Sequence, residues 1–485
     1  MKLFIVNCLL AVCLSASAQQ TSMQVEDHLT CPQLLRCCTT FAGQKPLHQL
    51  QQEFEDLRFG LFTHFGIPTY VEADWSDPDT PATIIDAPRL DCGQWARAAK
   101  SANMTYGVLS VKHHNGLCLW DTKTTDYNVR NSKLHRDVVA EYCKAFRNEG
   151  LKVMFHFSVL DTHHRMRRHK LTPTHVEMMK KQITELLTCY GEVTAFMFDG
   201  WEAPWGRISY DDVSFPDIYK LIKSLQPNCL VIDMNSHKYP REELFYSDIK
   251  FYEQGAGQII DANSNQLPAM ACLPMQRTWF WKLSMPTDQM RSAEEIVFDN
   301  LVPYGKGHCS FVLNAAPNRD GLLDDNALAT LRQIGKLCRD DVKRHYPVAP
   351  CIAPIVQKNV ALNKPSESSW SDDTALMDYA NDDNYSSAWQ SHPSVKEPWW
   401  EVELGRNYPV NMIVITEPQG GIIQRYRLQT RAIDGDWETL FEGLSPSHNR
   451  VKIHRFDTRQ AAFIRIQILS SNGAPAIAEL GVYEE

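Results

Sequence analysis

The chain has 485 residues, too many for one hydrophobic core, so we expect two or three domains. Hydrophobic residues make up 44% and charged residues 22%, as in ordinary globular proteins. The net charge of −9 argues against the basic surface that nucleic acid or an anionic membrane requires, and it fits a neutral or weakly charged substrate better.

The first 18 residues have the pattern of a secretory signal peptide. Lys2 precedes the apolar run Leu3 to Leu14, and Ala16-Ser17-Ala18 provides a small-residue cleavage site. No other uninterrupted apolar stretch approaches the roughly 20 residues that cross a bilayer. We therefore expect a secreted or periplasmic protein with no membrane insertion.

Cysteine usage points to disulfides rather than to metal. No C-x-x-C pair occurs among the 14 cysteines, so a zinc site is not expected. An N-terminal segment, residues 19–45, contains Cys31, Cys37 and Cys38, the best candidates for disulfides in an exported protein. Cys229 and Cys309 lie inside apolar runs, which is typical of a buried free thiol.

Residues 46–346 alternate short apolar runs with amphipathic helical patterns, which predicts a (β/α)8-like (TIM) barrel within an α/β fold class. The expected strands are Leu57–Gly66, Tyr106–His114, Leu151–Leu160, Val193–Gly200, Cys229–Asn235, Ile249–Gln254, Thr278–Lys282 and Cys309–Asn314. The expected helices are Cys92–Asn103, Asp137–Glu149, Pro173–Thr188, Asp217–Leu225, Ala293–Leu301 and Asp325–Cys338.

Local signals support several of these helix boundaries. Asp91 and Thr172 are expected N-caps, with Pro173 at the first helical position, and Gly150 is expected to end its helix. No clean helix is predicted in residues 236–250 or 255–277, so we expect a barrel that is partly distorted there, with long loops around the site.

Beyond a proline-containing linker, residues 347–357, the pattern changes. Residues 358–485 show short alternating segments separated by turns, which predicts an all-β domain, most simply a sandwich.

The run Val193–Trp201, V-T-A-F-M-F-D-G-W, is the most informative stretch of the barrel. It reads as a buried strand that ends in Asp199, and barrel active sites lie at the carboxyl ends of strands. Asp199 is therefore the leading catalytic candidate, although an aspartate at a strand end can also act only as a loop cap.

Other polar and aromatic residues are expected at the same end of the barrel. Strand ends carry His64, His113, His114 and His156, and Asp161, His163 and His164 follow the third strand. Glu253 ends the sixth strand, and Trp279 and Trp281 belong to the expected seventh strand. Trp75, Trp201 and Trp281 complete the predicted substrate-binding residues. Histidines could bind a metal, but neutral imidazoles and indoles suit a sugar pocket equally well. With two carboxylates they suggest glycoside hydrolysis, and we expect neither metal nor cofactor.

The barrel resembles glycoside hydrolase family 29, the α-L-fucosidases. The matching motifs are R-F-G-L-F-T-H-F-G at 58–66, V-K-H-H-N-G-L-C-L-W-D-T at 111–122, F-M-F-D-G-W at 196–201, T-W-F-W-K at 278–282 and F-V-L-N-A-A-P-N-R-D-G at 311–321. The resemblance implies an exo-acting retaining enzyme for fucosylated glycans. It also implies that Asp199 is the nucleophile and that His64, His113 and His114 hold fucose hydroxyls.

The acid/base residue is less directly given by the resemblance. Many family members have glutamate in a P-A-E segment, where this chain has Met270. A related branch has the motif Y-E-Q-x-A-G-Q, present here at 252–258, so Glu253 is the expected acid/base, with Glu242 and Glu243 as alternatives. On the third strand the family commonly has a tyrosine near the pocket, where this chain reads Phe155-His156-Phe157-Ser158, so the contact that His156 makes is open.

Two other functions stay open at this point. Met270 raises the alternative of a catalytically weak or inactive, lectin-like fucose-binding protein. A retaining hydrolase for another sugar, such as an α-L-galactoside, is also possible.

Residues 358–485 resemble the discoidin, or factor V/VIII type C, fold that serves as a carbohydrate-binding module. The motifs are N-V-A-L-N-K-P at 359–365, W-W-E-V-E-L-G at 399–405 and I-A-E-L-G-V-Y at 477–483. The resemblance implies a jelly-roll sandwich, and these framework motifs specify the fold more than a ligand. Trp399 and Trp400 are expected to pack in its core. The oligomeric state cannot be predicted.

Overall fold

A computed structural model describes residues 24–25, 43–338, 352–445 and 450–485. The predicted signal peptide and the predicted disulfide residues Cys31, Cys37 and Cys38 lie outside these ranges. The described residues form two compact units, one of residues 43–338, 352–360 and 483–485, the other of residues 24–25, 361–445 and 450–482.

The first unit is a parallel eight-stranded barrel, as the alternation predicted. Its strands are β1 Phe59–Thr63, β2 Tyr106–Lys112, β3 Lys152–Ser158, β4 Ala195–Asp199, β5 Leu230–Asp233, β6 Lys250–Glu253, β7 Ala269–Pro274 and β8 Cys309–Asn314. Hydrogen bonding runs in the order β5-β4-β3-β2-β1-β8-β7-β6. Parallel strands place all their carboxyl ends on one rim, where catalytic residues are expected.

Helices cover the barrel. They are α1 Leu47–Glu55, α2 Ile67–Val71, α3 Cys92–Ser101, α4 Val138–Asn148, α5 Pro173–Cys189, α6 Phe215–Leu225, α7 Val302–Lys306 and α8 Asp325–Leu337. The predicted caps are confirmed: Asp91 accepts the Gln94 N–H, Thr172 forms a capping box, and Gly150 has φ +70°. Among the described residues, no helix is long and apolar enough to span a bilayer.

Shorter helical segments depart from the predicted pattern. Glu295–Leu301 is a π-helix, where an α-helix was expected, and it leads directly into α7. 3₁₀ turns occur at Ala82–Ile84, Val129–Asn131, Ser236–Lys238, Gln254–Ala256 and Met377–Ala380.

The expected distortion lies between β5 and β6, which share no backbone ladder in the sheet order. Side chains bridge this gap. The Asp248 carboxylate accepts the Val231 N–H at 2.9 Å, and Lys223 binds Asp248 at 2.9 Å with both side chains fully buried. Because buried polar groups need partners, this bonding replaces part of the missing ladder.

The seventh strand was predicted wrongly. Thr278–Lys282 is a loop, whereas the strand between β6 and β8 is Ala269–Pro274. Met270 therefore points into the barrel core, where it is fully buried and packs in the cluster that includes Phe62 of β1 and Phe54 of α1. Met270 is therefore a packed core residue and does not line the cavity at the rim.

The second unit consists of antiparallel sheets. Its strands are β9 Ser366–Ser368, β10 Trp389–Gln390, β11 Trp399–Thr416, β12 Ile423–Arg431, β13 Glu438–Leu444, β14 Val451–Ser471, β15 Ala476–Ile477 and β16 Glu479–Tyr483. The main sheet runs β9-β11-β14-β12-β13; β16 pairs with β11, and the two-residue strand Gln24–Val25 pairs with β14. Trp400 is buried as predicted, but Trp399 is half-buried beneath Arg465 and is not a core residue.

Candidate active site

A cavity of about 450 Å³ opens at the carboxyl ends of the barrel strands. It collects residues that are far apart in sequence. Its walls are Phe62, His64, Asp74, Trp75, His113, His114, Asp199, Pro204, Trp205, Met234, Asn235, His237, Glu253, Ala256, Gln258 and Trp279. Both predicted catalytic carboxylates and three of the four predicted substrate-binding histidines are among them.

Asp199 is the last residue of β4, and Gly200 turns the chain sharply with φ +96°. A Cβ at Gly200 would lie 3.1 Å from the Leu160 nitrogen in a left-handed backbone conformation, so glycine is required. The turn leaves the Asp199 carboxylate facing the cavity.

The surroundings of Asp199 favour its charged form. Asp199 Oδ2 lies 3.3 Å from Nε2 of His156 and 3.5 Å from Nε2 of His114. Burial alone would raise the pKa of Asp199, but His114 in its protonated form, the hydrogen bond from His156 and the Gly200 N–H together lower it below its ordinary value. Asp199 is therefore ionised at neutral pH.

Glu253 ends β6 and is protonated more easily. Burial, and secondarily the negative charge of Asp199, raise the pKa of Glu253 to about 7, although a hydrogen bond from Trp279 opposes this rise. The backbone N–H of Glu253 donates to Oε1 of Gln258, which lies just beyond the following 3₁₀ turn, at 2.8 Å. Two carboxyls in one cavity thus differ in protonation near pH 6.

The alternatives Glu242 and Glu243 are not brought into the cavity. Glu242 lies 3.7 Å from Arg241. Burial lowers the pKa of the Lys250 amine to about 7, and the negative charges of Glu242 and Glu243 oppose this shift. The Lys250 ammonium donates to the carbonyls of Tyr239 and Pro240, so this group stabilises the loop before β6.

His64 ends up with a defined hydrogen-bond role. The Asn314 amide donates to the Trp279 carbonyl at 2.8 Å, so its Oδ1 faces His64 Nδ1, also at 2.8 Å, and must accept a hydrogen from it. Burial, and then the neighbouring His156, lower the pKa of His64 to about 3. Neutral His64 therefore has an unprotonated Nε2 that can accept a hydroxyl hydrogen. Burial likewise lowers the pKa of His113 well below its ordinary value.

Tryptophans line the rim of the cavity, and of the three predicted to bind substrate only Trp75 is among them. Trp75 stacks on His114 with ring centroids 4.7 Å apart and meets Trp205 edge to face at 5.1 Å. These two indoles are 46% and 48% exposed, so each keeps a free face. Trp205 was missed by sequence reasoning because its loop, W-E-A-P-W, has no periodic pattern that marks a wall.

Two predicted substrate-binding residues, Trp201 and Trp281, are structural instead. Trp201 is fully buried against Phe198 and Phe215, and its indole N–H donates to the Val213 carbonyl. Trp281 is buried and donates to Asp324 at 2.7 Å. Trp279, two residues earlier, lines the cavity in place of Trp281.

Asp161, His163 and His164, which follow β3, are held by contacts behind the cavity wall. Asp161 is buried between Lys112 and His164, at 3.3 and 2.9 Å. His163 contacts the Pro78 carbonyl and stacks on Tyr127 with centroids 3.6 Å apart. These contacts stabilise the segment that follows Trp75 and do not line the cavity.

Among the described residues, His113, His114 and Asp199 form a group that could hold a cation, with one ligand atom each within 4.8 Å of the others. The same atoms can accept hydrogens from sugar hydroxyls. Their neighbours in the wall are the indole rings of Trp75 and Trp205, which suit a sugar better than a hydrated ion.

Comparisons with known proteins agree on one family for the barrel. The family described as Alpha-L-fucosidase matches residues 83–341, and the F5/8 type C domain matches residues 363–480. Alpha-L-fucosidase 1 of Arabidopsis thaliana is 23% identical over 463 residues, covering 90% of this chain and 86% of the relative. Tissue alpha-L-fucosidase of Mus musculus is 22% identical over 339 residues, covering 61% and 71%.

A solved structure has the same fold. Alpha-L-fucosidase isoenzyme 1 from Paenibacillus thiaminolyticus matches with a TM-score of 0.51 at 22% identity, covering 90% of this chain and 100% of that one. At this identity the likeness concerns the fold alone.

Proposed function

This chain belongs to the alpha-L-fucosidase family, and from that membership we propose that it is an exo-acting enzyme that releases terminal L-fucose from glycans or glycoconjugates with net retention. The substrate is a fucosylated glycan, and no metal or cofactor takes part. The reaction is a double displacement in which Asp199 is the nucleophile and Glu253 the acid/base.

In the first step an Asp199 oxygen attacks the anomeric carbon while the glycosidic bond breaks. Glu253 gives its proton to the departing oxygen, so the aglycone leaves as an alcohol and the fucosyl group is bound to Asp199 as an ester. In the second step Glu253 removes a proton from water, which attacks the same carbon and releases fucose and free Asp199.

The observation that carries this proposal is the difference between the two carboxyls of the cavity. The pKa of Asp199 is lowered, while that of Glu253 is raised to about 7. An ionised nucleophile and a protonated acid in the same site are what the first step requires.

The neutral histidines and the rim indoles support a sugar substrate. His64 offers an unprotonated nitrogen to hydroxyls, and Trp75 and Trp205 offer apolar faces to a ring. The volume of about 450 Å³ is sufficient for one terminal sugar with part of its neighbour.

Proton NMR of the reaction with an α-L-fucoside tests the stereochemistry. We expect α-L-fucose to appear first and to mutarotate later to the anomeric mixture. The initial appearance of β-L-fucose would contradict double displacement.

The rival function is a fucose-binding protein without catalysis, suggested by Met270. Burial of Met270 in the core, together with Glu253 in the cavity wall, favours the enzyme. An aryl α-L-fucoside and a fucosyl-oligosaccharide separate the two, because the poor leaving group needs the acid. Binding of fucose without turnover of either would support the rival. Faster hydrolysis of α-L-galactosides, which have a hydroxyl at the sixth carbon, would instead change the assigned sugar.

We also propose that the enzyme acts outside the cytoplasm after removal of residues 1–18. N-terminal sequencing of the exported protein tests this, with Gln19 expected first. An intact Met1 on exported protein would contradict it.

A further inference from the structure

Two histidines flank the same oxygen of Asp199, and each is bonded on its far side to a buried serine. His156 Nδ1 lies 2.9 Å from Ser110 Oγ, and His114 Nδ1 lies 2.7 Å from Ser158 Oγ. Strand register creates this arrangement, because Ser110 pairs with His156 across β2 and β3, and Ser158 pairs with Asp199 across β3 and β4.

Ser158 can only accept from His114. A hydroxyl has one hydrogen, and Ser158 donates it to the Leu160 carbonyl at 2.8 Å, an oxygen that cannot donate in return. His114 must therefore donate from Nδ1. Burial lowers the pKa of His114 to about 4, so the ring is neutral near pH 7 and its Nε2, facing Asp199, has no hydrogen.

Ser110 has the opposite role. Among the described residues, His156 is the hydrogen-bond partner of its hydroxyl, so Ser110 is free to donate to Nδ1. His156 then carries its hydrogen on Nε2 and donates it to Asp199 Oδ2 at 3.3 Å. Both serines and His156 are almost completely buried, so water does not compete for these bonds.

We propose that Ser110 and Ser158 are positioning residues that fix opposite tautomers of His156 and His114, so that Asp199 receives one hydrogen from His156 and none from His114. His114 Nε2 and Asp199 Oδ2 are then two acceptors 3.5 Å apart. The missing hydrogen comes from the substrate. This inference rests on the proposed function. The hydroxyl that donates this hydrogen is the one beside the anomeric carbon of the sugar, and its hydrogen bond becomes stronger in the transition state.

Nitrogen-15 NMR of the full chain, labelled at histidine, measures the tautomers without any turnover. Two-bond proton–nitrogen correlations at pH 7 should show His114 protonated on Nδ1 and His156 on Nε2, with assignment by loss of the signals in His114→Gln and His156→Gln. A doubly protonated His114, or a hydrogen on its Nε2, would overturn the proposal.

Kinetics with an α-L-fucoside and its 2-deoxy analogue provide the second readout. In Ser158→Ala, His114 can carry its hydrogen on Nε2 and donate it to Asp199 Oδ2 in place of the substrate. We expect kcat/KM for the fucoside to fall roughly tenfold and the preference over the 2-deoxy analogue to shrink. In Ser110→Ala, kcat should fall with little change in KM, and Ser110→Thr, which keeps the hydroxyl, should restore it.

Ser310→Ala is the matched control. Ser310 is an equally buried strand serine, but its hydroxyl bonds Tyr106, and among the described residues it has no hydrogen bond to a histidine of the site. It should leave the 2-deoxy preference unchanged, and an equal change there would contradict the proposal. If NMR shows the expected tautomers but no fucoside is cleaved, the proposed function fails and the tautomer assignment stands.

Discussion

Asp199 and Glu253 end strands β4 and β6, and the negative charge of Asp199 raises the pKa of Glu253 beyond the effect of burial. While Asp199 stays ionised, Glu253 therefore keeps its proton to about pH 7. The pKa of Glu253, and with it the pH range in which Glu253 could act as an acid, can be measured.

The first prediction concerns the pH profile. Because Glu253 must be protonated in the first step, kcat/KM should decline as pH rises through about 7. Trp279→Phe removes the hydrogen bond that lowers the pKa of Glu253, so the decline should move to higher pH. A decline that stays at the same pH in Glu253→Gln, assayed with an activated aryl fucoside, would show that another group titrates.

The second prediction separates the acid/base candidates. Glu253→Ala should reduce turnover of fucosyl-oligosaccharides by about 10² to 10⁴-fold and of activated aryl fucosides far less. Added azide should restore activity on the aryl substrate by replacing the activated water. Glu242→Ala and Glu243→Ala are the controls and should change kcat/KM little. Rescue by azide in the Glu243 variant would assign the acid/base to the loop before β6.

The third prediction distinguishes structural from wall tryptophans. Trp201→Phe loses a buried hydrogen bond and part of its packing, so it should lower the free energy of unfolding by about 1–3 kcal/mol with little change in KM. Trp205→Ala, at the exposed rim, should raise KM for oligosaccharides with little effect on stability. Thermal unfolding and initial rates check both, and the reverse pattern would restore Trp201 as a substrate contact.

The fourth prediction concerns Asp233, a buried carboxyl at the end of β5. Burial raises its pKa to about 7, and Asp199 adds to this, although Tyr210, the Asn235 N–H and Lys238 oppose it. Between pH ~4, where an unfolded aspartate loses its proton, and pH 7 the folded protein keeps that proton. Unfolding then releases a proton, so this group makes stability fall as pH rises.

Asp233→Asn tests this pH dependence of stability. The amide oxygen can still accept from the Asn235 N–H, and the amide NH₂ can donate to the Tyr210 hydroxyl. Denaturant unfolding at pH 5 and pH 8 should show a smaller loss of stability across this range than in the parent protein. An unchanged or larger loss would mean that Asp233 is already ionised in the fold.

Much of this architecture could be predicted because periodicity and capping are local. Seven of eight barrel strands and the caps at Asp91 and Thr172 follow from such signals. The seventh strand was misplaced because Thr278–Lys282 is rich in aromatic residues that favour strands, whereas Ala269–Pro274 has two alanines and a proline at its end.

The site was only partly predictable for a different reason. Strand ends locate Asp199, Glu253 and the histidines, since register places them on one rim. Side-chain direction beyond the strand is set by turns, and Gly200 sends Trp201 toward α6 rather than into the cavity. The pairing of Ser110 with His156 depends on two strands 46 residues apart, which no local pattern shows.

The measurement that tests the central claim most directly is trapping of the covalent intermediate. A 2-deoxy-2-fluoro-fucosyl substrate with a good leaving group forms the glycosyl-enzyme faster than water removes it. Mass spectrometry of peptides should then show one fluorofucosyl addition on Asp199, and none in Asp199→Ala, whose kcat/KM should be lower by about 10³-fold or more on every fucoside. Labelling of a different carboxyl, or full turnover of fucosides by Asp199→Ala, would contradict the account.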